Sequence, residues 1–118
     1  MVYAGIERRR FPRLNKHFMV RYCLSGYTGI GELSLMKNIS LGGFCFTTSN
    51  KIEKGMKLSL RIKLPCQEIA PIGNVIESCR PNDKVPLCNT RVEFSEISES
   101  DREVLSKALS YFQIVEAL

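Results

Sequence analysis

The sequence is poor in the residues that metal sites and most enzymes use. His17 is the only histidine among 118 residues, and the five cysteines include no C-x-x-C pair. Zinc sites usually take closely spaced cysteine and histidine ligands, so we expect no bound metal. The chain also shows no P-loop and no recognisable pairing of a nucleophile with a base. These absences favour a protein that binds over one that catalyses.

Long apolar runs are absent too. No stretch approaches the roughly 18 apolar residues that a membrane-spanning helix requires. Residues 1–6 lack the basic and apolar regions of a secretory signal. We therefore expect a cytoplasmic protein without membrane insertion, whose cysteines are free thiols in a reducing environment. A chain of this length is expected to form one domain around one core.

Positive charge is concentrated near the N-terminus. The net charge is +5 at pH 7, and residues 7–16 hold five cations against the single carboxylate of Glu7. This local excess predicts an anion site rather than a broad surface for duplex DNA. Single-stranded nucleic acid is disfavoured as well, because Phe11 is the only aromatic residue inside the cluster. The five cations are Arg8, Arg9, Arg10, Arg13 and Lys16.

Short β-favouring segments separated by glycine, proline and asparagine fill the middle of the chain. In residues 56–64 apolar and polar side chains alternate strictly, which predicts a strand with one buried face. Gly73 predicts a bulge or bend in a later strand. Six or so such strands indicate an antiparallel barrel or a sandwich, and the pattern does not separate the two. The predicted strands are 17–24, 30–37, 44–48, 56–64, a run within 69–79, and 90–94.

The end of the chain changes to a helical period. Ser100 followed by Glu103 fits a capping box, with Ser100 as the N-cap and Ser98 as the alternative cap. An apolar stripe then recurs every three or four residues, as in an amphipathic helix that packs on the sheet or seals one end of a barrel. The stripe consists of Val104, Leu105, Ala108, Leu109, Phe112 and Val115.

Two short clusters have the chemistry of a ligand site. Arg9 and Arg13 form an Arg-x-x-x-Arg pattern, and residues 38–43 read Asn-x-Ser-x-x-Gly, a predicted turn. Guanidinium groups bind phosphates through two parallel hydrogen bonds, pair with the O6/N7 edge of guanine and stack on bases. The turn offers an amide, a hydroxyl and a glycine that allows close backbone approach. Together the clusters indicate a ligand that is both anionic and purine-like.

In this order on an all-β chain, the two clusters resemble those of the PilZ domain, the bacterial receptor module for cyclic di-GMP. The resemblance runs from about residue 7 to the C-terminal helix. It implies a six-stranded antiparallel β-barrel with a C-terminal α-helix over residues 16–118, after a flexible arm over residues 1–15. It also implies a receptor or adaptor that changes conformation on binding and signals through a partner protein, in motility or biofilm formation. The alternative is a PilZ-like interaction module, as in type IV pilus assembly or motility, with weak or no nucleotide binding.

The resemblance also implies a site. Its residues would be Arg8, Arg9, Arg13, Asn38, Ser40 and Gly43, with cyclic di-GMP as the ligand and no cofactor. Two positions distinguish this chain from the family pattern. Asn38 takes the uncharged option of the Asp/Asn position, and Arg91 stands where a glycine is common. The partner, the oligomeric state, and binding of one ligand or an intercalated pair are left open.

Overall fold

The structure is a computed structural model that describes residues 17–26, 29 and 31–117. Residues 116 and 117 are described for their backbone only. Arg8, Arg9 and Arg13, and the predicted arm over residues 1–15, lie outside the described residues. Within the described part the chain forms seven strands and one helix. These are β1 (Met19–Leu24), β2 (Glu32–Ile39), β3 (Gly43–Thr48), β4 (Lys57–Lys63), β5 (Glu68–Ile69), β6 (Ile72–Cys79), β7 (Cys88–Glu96) and α1 (Glu99–Ala117).

The strands form a closed antiparallel barrel. Their order is β1–β2–β3–β7–β6–β4, and β4 pairs back with β1 over six residue pairs. The two residues of β5 continue the line of β6 beyond Pro71, whose carbonyl accepts a hydrogen bond from the Leu60 amide at 3.1 Å. The six-stranded barrel and C-terminal helix implied by the resemblance are therefore confirmed. The fold is a barrel and not a sandwich, because β1 and β4 hydrogen-bond to each other and leave neither as a free edge.

The core fills the barrel with side chains from alternate strand positions. Leu58, Leu60 and Ile62 of β4 are at most 2% exposed, as their alternation predicted, and Phe46 is fully buried at the centre. Each such side chain contributes about 1.5–3 kcal/mol on burial. Met56 was predicted to share the inward face, and this is wrong. It lies just before β4 and is 37% exposed.

Three hydroxyl groups from the neighbouring strands β3, β7 and β6 form a buried chain at the barrel end opposite α1. Thr48 Oγ1 donates to the Asn50 carbonyl at 2.7 Å, so Thr90 must donate to Thr48 at 2.8 Å, and Ser78 to Thr90 at 2.8 Å. The Ser78 oxygen then accepts from the Ile52 amide at 3.0 Å. Because every donor has an acceptor, burial of this polar cluster is satisfied, and it anchors the β3–β4 connection.

Helix α1 covers the barrel end where β1 begins. Ser98, not Ser100, is its N-cap, since the Asp101 amide donates to Ser98 Oγ at 3.0 Å. Leu105 and Leu109 are buried. Val115 was predicted to pack with them, and this is wrong, because it is 43% exposed near the far end of the helix. In the part of the chain that the structure describes, no helix is long and apolar enough to span a membrane.

Candidate functional site

A β-bulge in β2 turns Asn38 out of the barrel. Met36 pairs with Phe46 and Asn38 pairs with Cys45, so two residues of β2 advance against one of β3 and Lys37 is the extra residue. As a result Asn38 faces outward, while Met36 before it and Ile39 after it are fully buried. Bulges commonly redirect a single side chain in this way. The Asn38 amide makes no hydrogen bond to any residue that the structure describes.

The turn after Asn38 is shorter than predicted. Residues 38 and 39 complete β2 and residue 43 begins β3, which leaves residues 40–42 as the turn. The Ser40 amide donates to the Gly43 carbonyl at 2.8 Å. The Ser40 hydroxyl accepts from the Gly42 amide at 3.2 Å and lies 3.3 Å from the Gly43 carbonyl. Ser40 therefore holds the turn in shape, and its hydroxyl keeps a lone pair for another donor.

Gly43 brings β3 unusually close to β7. A Cβ atom at this position would lie 2.0 Å from the Val92 carbonyl oxygen and 2.8 Å from Glu93 Cα. Both are backbone atoms, so no side-chain movement could relieve the overlap. The glycine is thus required by strand packing, whatever it contributes to a ligand.

A row of four side chains crosses the outer face beside the turn. Asn38 pairs with Cys45, Cys45 with Arg91, and Arg91 with Glu77, on four successive strands. The Arg91 and Glu77 side chains approach to 3.9 Å between Nη1 and Oε1, and each is about half exposed. A pair this long and this exposed is weak, so the guanidinium can exchange its partner for a stronger anion.

The structure brings Asn38, Ser40 and Gly43 together and places Arg91 on the same face. It does not describe Arg8, Arg9 or Arg13. Sequence reasoning had noted Arg91 as a second departure from the family pattern, but it missed Glu77, whose pairing depends on the register of β6 and β7. Nor did it single out Lys37, which is exposed at the bulge. An amide, two cations and open backbone on one rigid face can bind purine edges and phosphates.

Another cavity, of about 680 Å³, lies at the barrel end away from α1 and does not include the Asn38 face. Tyr22 lines it, and burial raises the pKa of the Tyr22 phenol, with the Glu32 carboxylate adding to the effect and hydrogen bonds from Ser49 opposing it. Within residues 17–26, 29 and 31–117 no cluster of His, Cys, Asp and Glu could hold a metal ion.

The fold and the site together define a small closed barrel that presents polar groups on its outer sheet face. The sequence profile described as the PilZ domain matches residues 7–111, which include both motif clusters. The chain belongs to the PilZ domain family. No protein of curated function matches it by sequence.

Solved structures share the fold. The inhibitor of motility MotI/DgrA of Bacillus subtilis is 23% identical, with a TM-score of 0.77 over 92% of this chain and 52% of that one. MrkH of K. pneumonia, solved as a complex with c-di-GMP, is 21% identical, with a TM-score of 0.75 over 94% of this chain and 54% of that one. The PilZ domain of YcgR from Escherichia coli, solved with c-di-GMP, is 14% identical, with a TM-score of 0.65 over 94% and 96%. The chain thus spans about half the length of the first two.

Proposed function

We propose that this protein is a bacterial cyclic di-GMP receptor or adaptor that acts by binding and not by catalysis. The observation that carries the proposal is the bulge that turns the Asn38 amide outward beside the turn of residues 40–42, in one row with Arg91. Membership of the PilZ family and the two similar structures solved with c-di-GMP support it.

The proposed roles follow from the chemistry of each group. Asn38 bonds a guanine edge, since its amide supplies one acceptor and two donors. Ser40 offers its remaining lone pair to a base or phosphate donor, and Gly43 leaves the backbone accessible. Arg8, Arg9 and Arg13 bind the phosphodiesters and stack on guanine, as the Arg-x-x-x-Arg resemblance implies.

Binding should also change how the chain meets other proteins. We propose that the ligand orders residues 7–13 of the N-terminal arm against the barrel, and that this creates or hides a surface for a downstream partner in the cytoplasm. The composition of the arm supports this step, because its four arginines complement a ligand with two phosphodiester charges.

Calorimetric titration with cyclic di-GMP tests the proposal and reports whether one ligand or a pair binds. Arg9→Ala, Arg13→Ala and Asn38→Ala are each expected to weaken binding about tenfold or more, because each removes charged or paired hydrogen bonds. Arg80→Ala and Asn50→Ala are the matched controls, since both residues are exposed and lie away from the Asn38 row. Wild-type protein that gives no binding heat at millimolar ligand would refute the nucleotide function and leave the interaction module.

A further inference from the structure

The outer face of β1 and β2 has an exposed apolar patch of three large side chains. Met19 and Leu35 are directly opposed on neighbouring strands, and Leu33 lies one row further along β2. They are 41%, 53% and 52% exposed, respectively. Isolated apolar residues are normal on protein surfaces, but contiguous ones mark interaction sites. We call Met19, Leu33 and Leu35 the apolar patch.

Cations border the apolar patch on two sides. Lys63 of β4 pairs with Met19, and Arg61 pairs with Arg21, which in turn pairs with Leu33. Lys37, two residues after Leu35, is exposed at the bulge. Arg21 and Arg61 are like charges directly opposed across two strands, an arrangement that costs stability by itself. The Glu68 carboxylate lies near these cations and forms an ion pair with Arg61, at 3.1 Å between Oε1 and Nη1.

The charge of this surface selects its occupant. The N-terminal segment of the same chain is strongly basic and would be repelled. The Arg61–Glu68 pair shows that a carboxylate reaches this row with good hydrogen-bond geometry. Arg21 has one hydrogen bond, a long one of 3.5 Å to the Gly31 carbonyl, among the residues described, so most of its donors are available.

We propose that the apolar patch and its cations form a docking surface for a partner-protein segment that presents carboxylates beside large apolar side chains. Apolar side chains of the segment would cover Met19, Leu33 and Leu35, and its carboxylates would pair with Arg21 and Lys63. The proposal does not depend on nucleotide binding, because its residues lie on β4, on β1 and on the part of β2 that precedes the bulge.

Selection of a random-peptide display library on the immobilised full chain tests the surface directly. Enriched peptides are expected to combine Asp or Glu with large apolar residues. Leu35→Ser and Lys63→Glu should each weaken binding of a synthetic consensus peptide about tenfold, as substitutions in a hot spot do. Lys107→Glu, on the exposed face of α1 where Lys107 pairs with Glu103, is the control and should leave binding unchanged.

Four results would overturn the proposal. These are a library without enrichment, a consensus without acidic residues, wild-type peptide affinity in both patch variants, and patch-dependent binding to something other than peptide. Two further measurements test for binding to something other than peptide. Sedimentation with phosphatidylserine vesicles that Lys63→Glu abolishes would assign the surface to a membrane. A dimer in light scattering that Leu35→Ser dissociates would assign it to a second copy of the chain. Unfolding midpoints within about a degree or two of wild type would verify that both variants fold, as exposed substitutions usually do.

Discussion

Asn38 and Arg91 lie in one row across the outer face of the barrel, with only Cys45 between them. Neighbouring strands are about 4.8 Å apart, so the two backbones are separated by about 10 Å. A purine ring system with its phosphate spans a comparable distance. One ligand could therefore contact the amide and the guanidinium together, and Glu77 would compete with it for Arg91.

Substitutions of Arg91 and Glu77 are predicted to change cyclic di-GMP affinity in opposite directions. Arg91→Ala should weaken binding about tenfold, because a charged hydrogen bond to the ligand is lost. Glu77→Gln should strengthen it about two- to fivefold, because an exposed ion pair no longer holds the guanidinium. Calorimetric titration measures both.

The Arg61–Glu68 pair provides the matched control for this prediction. It is also an exposed arginine–glutamate pair, at 3.1 Å, but it lies on β4 and β5 rather than in the Asn38 row. Arg61→Ala and Glu68→Gln should leave nucleotide affinity unchanged. If Glu77→Gln weakens binding, Glu77 does not compete with the ligand.

Gly43→Ala is predicted to destabilise the fold by about 2 kcal/mol or more, because the new Cβ overlaps backbone atoms of β7. Gly73→Ala is the comparison. Its Cβ would meet the buried Val92 and Leu60 side chains but no backbone atom closer than 3.4 Å, so repacking of these side chains can relieve the overlap without separating the strands and the cost should be smaller. Urea unfolding of both variants ranks them. Equal losses would show that β3 can move away from β7.

Ser98→Ala is predicted to cost about 1 kcal/mol of unfolding free energy, since it removes the N-cap of α1. Ser100→Ala should cost far less, because that residue is exposed within the first turn. The two serines share a local sequence pattern, so the pair of unfolding curves isolates the cap. A larger loss at Ser100 would contradict the assignment.

Stability at alkaline pH should depend on Tyr22. Burial, followed by the charge of Glu32, raises the pKa of this phenol above its ordinary value. Folding then favours the neutral form, so the stability that depends on it is present below about pH 10 and is lost as the pH rises toward the folded-state pKa. Tyr22→Phe should therefore lose less stability than wild type as the pH rises above about 10. It should be about 1 kcal/mol less stable at neutral pH, because the contact with Ser49 is gone.

Urea unfolding across this pH range measures the difference between the two proteins. Glu32→Gln removes the second cause of the shift and should give an intermediate slope. Parallel curves for wild type and Tyr22→Phe would show that the phenol titrates freely in the folded state.

Local patterns predicted the elements of this fold well and their mutual contacts poorly. The alternation in residues 56–64 gave β4, and the apolar spacing after Ser100 gave the helix. Ser98 is the N-cap of α1, although both serines fit the local pattern. Asp101, the third residue of the helix, accepts a hydrogen bond from the distant Ala70 amide at 3.0 Å. No local pattern contains that contact.

The same reason explains what was missed at the candidate site. Asn38, Ser40 and Gly43 were found from spacing alone, but a bulge is a property of two strands and not of one. The contact between Arg91 and Glu77 and the buried hydroxyl chain of Thr48, Ser78 and Thr90 likewise depend on register. Sequence also could not show that Gly43 is required by β7.

The bulge at Lys37 lets β2 bury both Met36 and Ile39, although two outward residues separate them. If β2 alternated strictly through Lys37, a strand with Met36 inside would also direct Asn38 inside and Ile39 into water, so core and site could not both be correct. Deletion of Lys37 leaves Met36, Asn38 and Ile39 in regular alternation against β3, so it should preserve both the core and the outward direction of Asn38, measured as an unchanged unfolding midpoint and retained nucleotide binding. Substitution of Lys37 by alanine keeps the bulge and should also preserve the fold, because the Lys37 side chain is exposed. The extra residue thus adds a second outward side chain, that of Lys37, without changing which residues of β2 face the core.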